Sequence, residues 1–191
     1  IEGGSSFEAK EALSDFTLAL GFAVFGIFML IALLFNSYSQ PLLVILSIPF
    51  ALIGVVWAFF FHSEPFSFFV LLGVLALVGV VVNDSLVMIS HLNFIKQSQD
   101  KDSSSIQWIA MGAKDRLRAV ILTTLTTLAG VLPLIYGFGG KDAFLQPMVM
   151  ALGYGLLFGT FVTLILLPCL YSLNLDLINW IKKIKNSLLK T

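Results

Sequence analysis

A single cysteine, Cys169, stands in 191 residues. One thiol closes no internal disulfide, and without a CxxC pair cysteine-based redox or metal chemistry is not expected; in its apolar surroundings Cys169 reads as a small packing side chain. Charge is scarce as well: Asp, Glu, Lys and Arg make up 12% of the chain, where a soluble domain carries roughly a quarter. Eleven basic and eleven acidic residues cancel, so no surplus charge points to nucleic acid or an acidic partner. There is no HExxH zinc pair, no GxSxG nucleophile elbow and no glycine-rich phosphate loop after a strand. No metal site and no cofactor is expected. The first fourteen residues, IEGGSSFEAKEALS, lack the basic start and short apolar core of a signal peptide. A polar segment beginning without Met reads as part of a longer polypeptide.

What the chain has in abundance is apolar sequence: 58% hydrophobic, with 18 Phe. That composition predicts an all-α integral membrane protein. Phe16 to Phe35 is 20 uncharged residues, and at ~1.5 Å rise per residue it crosses a hydrocarbon core of ~30 Å. Five such spans are expected, over about 15–37, 41–62, 66–90, 118–138 and 145–173. Pro41 sits where the second begins, in the first turn where its missing N–H is not needed. The fourth is interrupted by Gly130 and Pro133, and a proline is tolerated where neighbouring helices satisfy the freed carbonyl. Between the third and fourth spans the composition turns polar, with QSQDKDSSS as a loop. Ile106, Ile109 and Ala110 at helical spacing, with Trp108 beside them, predict a short helix lying at the interface over about 104–115. Past Leu173, apolar residues mixed with Lys182, Lys183, Lys185 and Lys190 predict a basic amphipathic helix over about 175–190 on the membrane surface. The domain divisions are therefore 1–14, a transmembrane bundle 15–173 and a tail 174–191.

Five spans put the two ends on opposite sides. Nine of the Lys and Arg residues fall on the side of the Asn36 turn, the Ser90–Arg118 loop and the tail; Lys10 and Lys141 fall on the other. Because positive loops stay in the cytoplasm, the N-terminus is expected outside and the C-terminus inside.

Within the apolar runs one charged residue stands out. Asp84, in GVVVNDSLVMISHLN, lies ~10 Å in from the His91 end of its span, and Thr123 lies ~8 Å in from Arg118 on the same side. Both are thus at similar depth on different helices, with Asn83 and Ser85 beside the carboxylate. A threonine hydroxyl can pair with a carboxyl group in either protonation state. Charging a carboxylate in lipid is costly, and such groups mark proton relays. Equally, a protonated Asp84 serves as interhelical glue, and residue chemistry leaves the two readings level. Thr124, with Thr126 and Thr127, more simply bonds its own helix carbonyls. Arg116 and Arg118 read as cytoplasmic anchors, Arg118 lying close enough to meet the polar patch. Ala151, Gly155 and Gly159 recur every four residues, a small-residue stripe for close helix approach. An aspartyl intramembrane protease would need a second membrane Asp, so an enzyme is not expected.

Three blocks, GVVVNDSLVMISHLN, GAKDRLRAVILTTLTTLAGVLPLIYG and MALGYGLLFGTFVTLILLPCLYSL, resemble in order and spacing the last three helices of the resistance-nodulation-division (RND) efflux transporters of the hydrophobe/amphiphile type. ALLFNSYSQPLLVILSIPFALIGV resembles the pair before them. The resemblance implies helices eight to twelve of a twelve-helix proton-driven antiporter of the bacterial inner membrane, with residues 1–14 the end of a periplasmic porter domain. It implies that an N-terminal transmembrane half and the porter domains complete the protein. The parent is then a homotrimer working with a periplasmic adaptor and an outer-membrane channel. In the family a threonine on the eleventh helix and a lysine on the tenth join a proton relay; the threonine falls on Thr123 and the lysine position on Asn83, next to Asp84. Without that lysine the usual exchange of partners cannot carry over unchanged. The candidate relay is therefore Asp84, Asn83 and Thr123, with Ser85, Thr124 and Arg118 as accessories. Two further readings stand beside it: a non-transporting membrane anchor or assembly module, and, more distantly, a membrane-embedded enzyme lacking an identified second catalytic group.

Overall fold

A computed structural model describes residues 2–98, 105–138, 140 and 142–188. Five helices account for nearly all of it: α1 (Glu2–Phe35), α2 (Ser39–His62), α3 (Phe68–Ser98), α4 (Ser105–Ile135) and α5 (Leu145–Leu188). All five contain stretches long and apolar enough to cross a membrane. The loop residues 99–104, with Lys101, and the positions of Lys141 and Lys190 lie outside the described residues.

Three helix ends close in the same way. Asn36, Ser63 and Gly137 take left-handed φ values of 47°, 52° and 69°, and the next amide reaches back to a carbonyl of the last turn: Ser37 to Ala32 at 3.3 Å, Glu64 to Phe59 at 3.2 Å and Phe138 to Pro133 at 3.0 Å. Each bond satisfies a carbonyl that helix termination leaves open. At the start of α5, the Asp142 carboxylate accepts from the amides of Phe144 at 2.8 Å and Leu145 at 3.1 Å.

The helices outrun the expected boundaries in four places: α1 starts at Glu2 and not near 15, α3 runs to Ser98 and not to about 90, and the two short helices are continuous with their neighbours. The short helix expected over 104–115 is not separate: from Ser105 it runs unbroken into the fourth span. A change from polar to apolar residues marks where lipid begins, and nothing in GAKDRLRAV breaks the backbone. Trp108, expected at the interface, is 7% exposed and packs edge-on against Tyr171 at 6.0 Å. The tail helix likewise continues α5, through Pro168, and Leu175 packs on the bundle core. The side chains of Lys182, Lys183 and Lys185 lie outside the description. Residues 2–14 form the first turns of α1.

α5 is the axis. It packs against α2, α3 and α4, whereas α1 touches only α2 and α3. Two apolar clusters stack along it. One, toward the His62 end, gathers Ala51, Val55, Leu77, Val81, Met150 and Leu156. The other, toward the Asn36 end, gathers Val44, Ile89, Leu92, Trp108, Leu167 and Tyr171. The small-residue stripe permits this closeness: a Cβ on Gly155 would overlap Leu77 and Val55, and one on Gly73 would overlap the Met148 carbonyl.

Candidate functional site

Asp84 and its neighbours sit where α3 passes between the two clusters. Helical rotation of ~100° per residue sends three successive side chains to different surroundings. Ser85 faces inward and is fully buried; Asp84 is half-buried at the edge of the packed core; Asn83 is exposed. On α4 the same rotation buries Thr124 and turns Thr123 outward.

The inward-facing pair makes interhelical bonds. Ser85 Oγ meets Ser47 Oγ at 3.1 Å, linking α3 to α2. Ser47 donates its own hydrogen to the Val44 carbonyl at 2.6 Å, so Ser85 is the donor between the two hydroxyls. Thr124 Oγ1 meets Thr160 Oγ1 at 2.8 Å, linking α4 to α5. Each threonine also reaches a carbonyl of its own helix, Val120 at 2.9 Å and Leu156 at 2.8 Å. Two hydroxyl hydrogens are thus shared among three contacts. Thr163 bonds its own helix in the same manner, at Gly159.

The structure does not join Asp84 to Thr123. Among the described residues the Asp84 carboxylate has no hydrogen bond or ion pair, and Thr123 donates to Val120 of its own helix at 2.9 Å. Arg118 is exposed, with no ion pair among the described residues. Asn83, Asp84 and Thr123 are left with free polar valences, while Ser85 and Thr124 hold the bundle behind them. What the site can do chemically is take up and release a proton at Asp84.

Sequence reasoning missed Ser47 and Thr160, the partners of the two inward hydroxyls. A lone hydroxyl in an apolar run was the available signal, and it does not say which helix it meets. Two larger polar nodes at the bundle ends were also missed. At one end Gln40 and Asn93 exchange amide bonds of 3.0 and 2.9 Å, and the buried Tyr171 hydroxyl donates to Asn93 Oδ1 at 2.7 Å. At the other, His62 Nδ1 lies 2.8 Å from the Ala58 carbonyl and its Nε2 lies 3.2 Å from the Tyr154 hydroxyl, which meets Tyr136 at 3.2 Å. Nδ1 donates to the carbonyl, which can only accept.

The sequence model of the AcrB/AcrD/AcrF family matches residues 2–174. The chain belongs to this family, that of the RND transporters. The cobalt-zinc-cadmium resistance protein CzcA of Cupriavidus metallidurans is 32% identical over 171 residues, covering 90% of this chain and 16% of CzcA. The multidrug resistance protein MdtC of Edwardsiella ictaluri is 26% identical over 168 residues, 88% of this chain and 16% of MdtC. The swarming motility protein SwrC of Bacillus subtilis is 25% identical over 171 residues, 89% of this chain and 16% of SwrC. The chain therefore spans about a sixth of the length of these RND relatives. It is a multi-pass membrane segment of an RND transporter.

Proposed function

We propose that this chain is the C-terminal half of the membrane domain of a proton-driven RND efflux permease of the bacterial inner membrane, with Asp84 as its proton-handling group. One observation carries the reading. A carboxylate without a partner among the described residues lies half-buried in an apolar span, where retaining an ionisable group has a standing cost unless it is used. Asn83, at the family's lysine position, and Thr123 complete the patch as hydrogen-bonding neighbours, with Ser85, Thr124 and Arg118 supporting. Since these side chains do not close on one another here, the partners that take the proton on belong to the N-terminal transmembrane half. This chain alone does not transport. The parent acts as a homotrimer with porter domains, a periplasmic adaptor and an outer-membrane channel. No cofactor is required beyond the proton gradient.

Small amphiphilic compounds are the proposed cargo, supported by the multidrug resistance proteins among the relatives. The cobalt-zinc-cadmium relative, at 32% identity, favours divalent metal as a second reading. Growth of an efflux-deficient host expressing the intact parent, challenged with each class, separates them.

The test of proton handling is Asp84→Asn in the intact parent. The amide keeps the size and loses the titration, so pH-driven efflux should fall to background while expression and membrane insertion stay normal. Unchanged efflux at equal expression rejects the reading and leaves Asp84 as interhelical glue.

A further inference from the structure

Where α1 ends and α3 leaves the membrane, the helices enclose an open groove of about 670 Å³. Its α3 wall is a single stripe, Ser90, Asn93, Phe94 and Gln97, at i, i+3, i+4 and i+7, so these side chains face the groove together. Lys96 stands beside the stripe. Leu34 and Phe35 of the last α1 turn form the opposite wall, and Gln40 at the start of α2 closes the floor.

The floor is rigid and already partly satisfied. Asn93 Oδ1 accepts from both Gln40 and Tyr171, which uses its acceptor capacity, and the Gln40 carbonyl oxygen accepts from Asn93. One N–H on each amide remains. Ser90, Lys96 and Gln97 make no side-chain hydrogen bond or ion pair among the described residues. Among the described residues the lining contains no Asp or Glu. The groove thus offers one cation and several spare donors on one side. On the other it offers an apolar wall whose Leu34 is 69% exposed. Such a pairing suits a ligand that is anionic at one end and hydrocarbon at the other, and it lies where the apolar run of α1 stops, at headgroup depth.

We propose that this groove binds the phosphodiester headgroup of an anionic phospholipid in the adjoining leaflet, with Lys96 and the Gln97 donor on the phosphate and the first acyl carbons along Leu34 and Phe94, toward Ser90 about two turns deeper. The lipid braces the end of α1, whose contacts among the described residues are to α2 and α3 alone. The proposal does not depend on which leaflet this end meets, nor on the role of Asp84.

The test places photoreactive p-benzoylphenylalanine at position 34 of the full-length polypeptide carrying this chain. The protein is reconstituted in vesicles of equal phosphatidylglycerol and phosphatidylcholine, and lipid adducts at that position are counted by mass spectrometry. Phosphatidylglycerol adducts should predominate. Lys96→Gln should cut that preference about fivefold, the effect of one interfacial cation, while Lys96→Arg retains it. Inorganic phosphate in excess, at matched ionic strength, should leave the ratio unchanged. Equal adducts of the two lipids, or a preference indifferent to Lys96→Gln, overturns the proposal. Loss of the preference to inorganic phosphate also overturns it, since the groove would then be a site for free anions.

Discussion

A serine or threonine hydroxyl on a membrane helix has a second acceptor within reach, the carbonyl one turn back, which the Gln40 and Asn93 amides and the Tyr171 phenol do not use. That difference ranks the polar contacts of this bundle. Thr124→Val removes the bond to Thr160, but Thr160 keeps Leu156, so the expected loss is no more than about 1 kcal/mol. Asn93→Leu strands the Gln40 amide and the buried Tyr171 hydroxyl together, and with each unmade bond costing about 1–3 kcal/mol it should destabilise by about 2–4 kcal/mol. Detergent-induced unfolding midpoints of the two variants, read in the intact polypeptide, check the order; a larger shift for Thr124→Val would contradict it. The same residues mark the limit of what could be read from sequence. Depth along a helix follows from counting residues, and that count is what sets Asp84 and Thr123 at an expected common level. Azimuth does not follow from counting. It depends on which neighbour each helix turns toward, and the residues that turn inward are the next ones along, Ser85 and Thr124.

Along whole helices, the lengths of the apolar runs were enough to place all five spans, because hydrocarbon thickness sets a floor that few other constraints can blur. Helix ends were less legible, since polarity reports the edge of the lipid and not the end of the backbone hydrogen bonding. Hence α4 begins at Ser105, well before its apolar stretch. Contacts between helices make a sharp contrast testable. Gly73→Ala meets the Met148 carbonyl, a backbone atom that cannot turn aside, so α3 and α5 must separate at a cost of about 1–3 kcal/mol. Gly79→Ala, six residues on, meets nothing within 4 Å and should be neutral or stabilising by up to about 1 kcal/mol. Thermal unfolding of the pair reads this directly. A further prediction concerns the start of α5. The amides of Leu145 and Phe144 hold the Asp142 carboxyl below its ordinary 3.8. A folded pKa below the unfolded one means that the cap contributes fully above 3.8 and is lost as pH falls through the lower folded value. Hydrogen exchange at the first turn of α5 should therefore accelerate only below the ordinary carboxylate range, and Asp142→Asn should flatten that dependence.

At the scale of the molecule, length and charge together determine how the bundle sits. α4 is 31 residues and α5 is 44, or ~46 and ~66 Å at helical rise, so both outrun a hydrocarbon core of ~30 Å. The excess collects at one end. There α3, α4 and α5 continue together around Leu92, Trp108, Ile109 and Tyr171, and a Cβ on Gly112 would meet Leu92 and Ile95, so the projecting turns are packed and not frayed. His91 Nε2 lies 3.7 Å from Asp115 across the same projection, an ion pair whenever the ring is protonated. Lys114, Arg116 and Arg118 lie on this end, where lysine and arginine oppose translocation. The opposite end carries only Lys10 and Lys141 in the sequence. The projecting end is accordingly expected in the cytoplasm and the start of α1 outside it. Since Cys169 is exposed on the bundle surface, the check begins from Cys169→Ala. A membrane-impermeant maleimide added to intact spheroplasts should then label Lys10→Cys without permeabilisation, and Lys114→Cys only after it. The reverse pattern would invert the bundle, and with it the direction in which Asp84 faces the proton gradient.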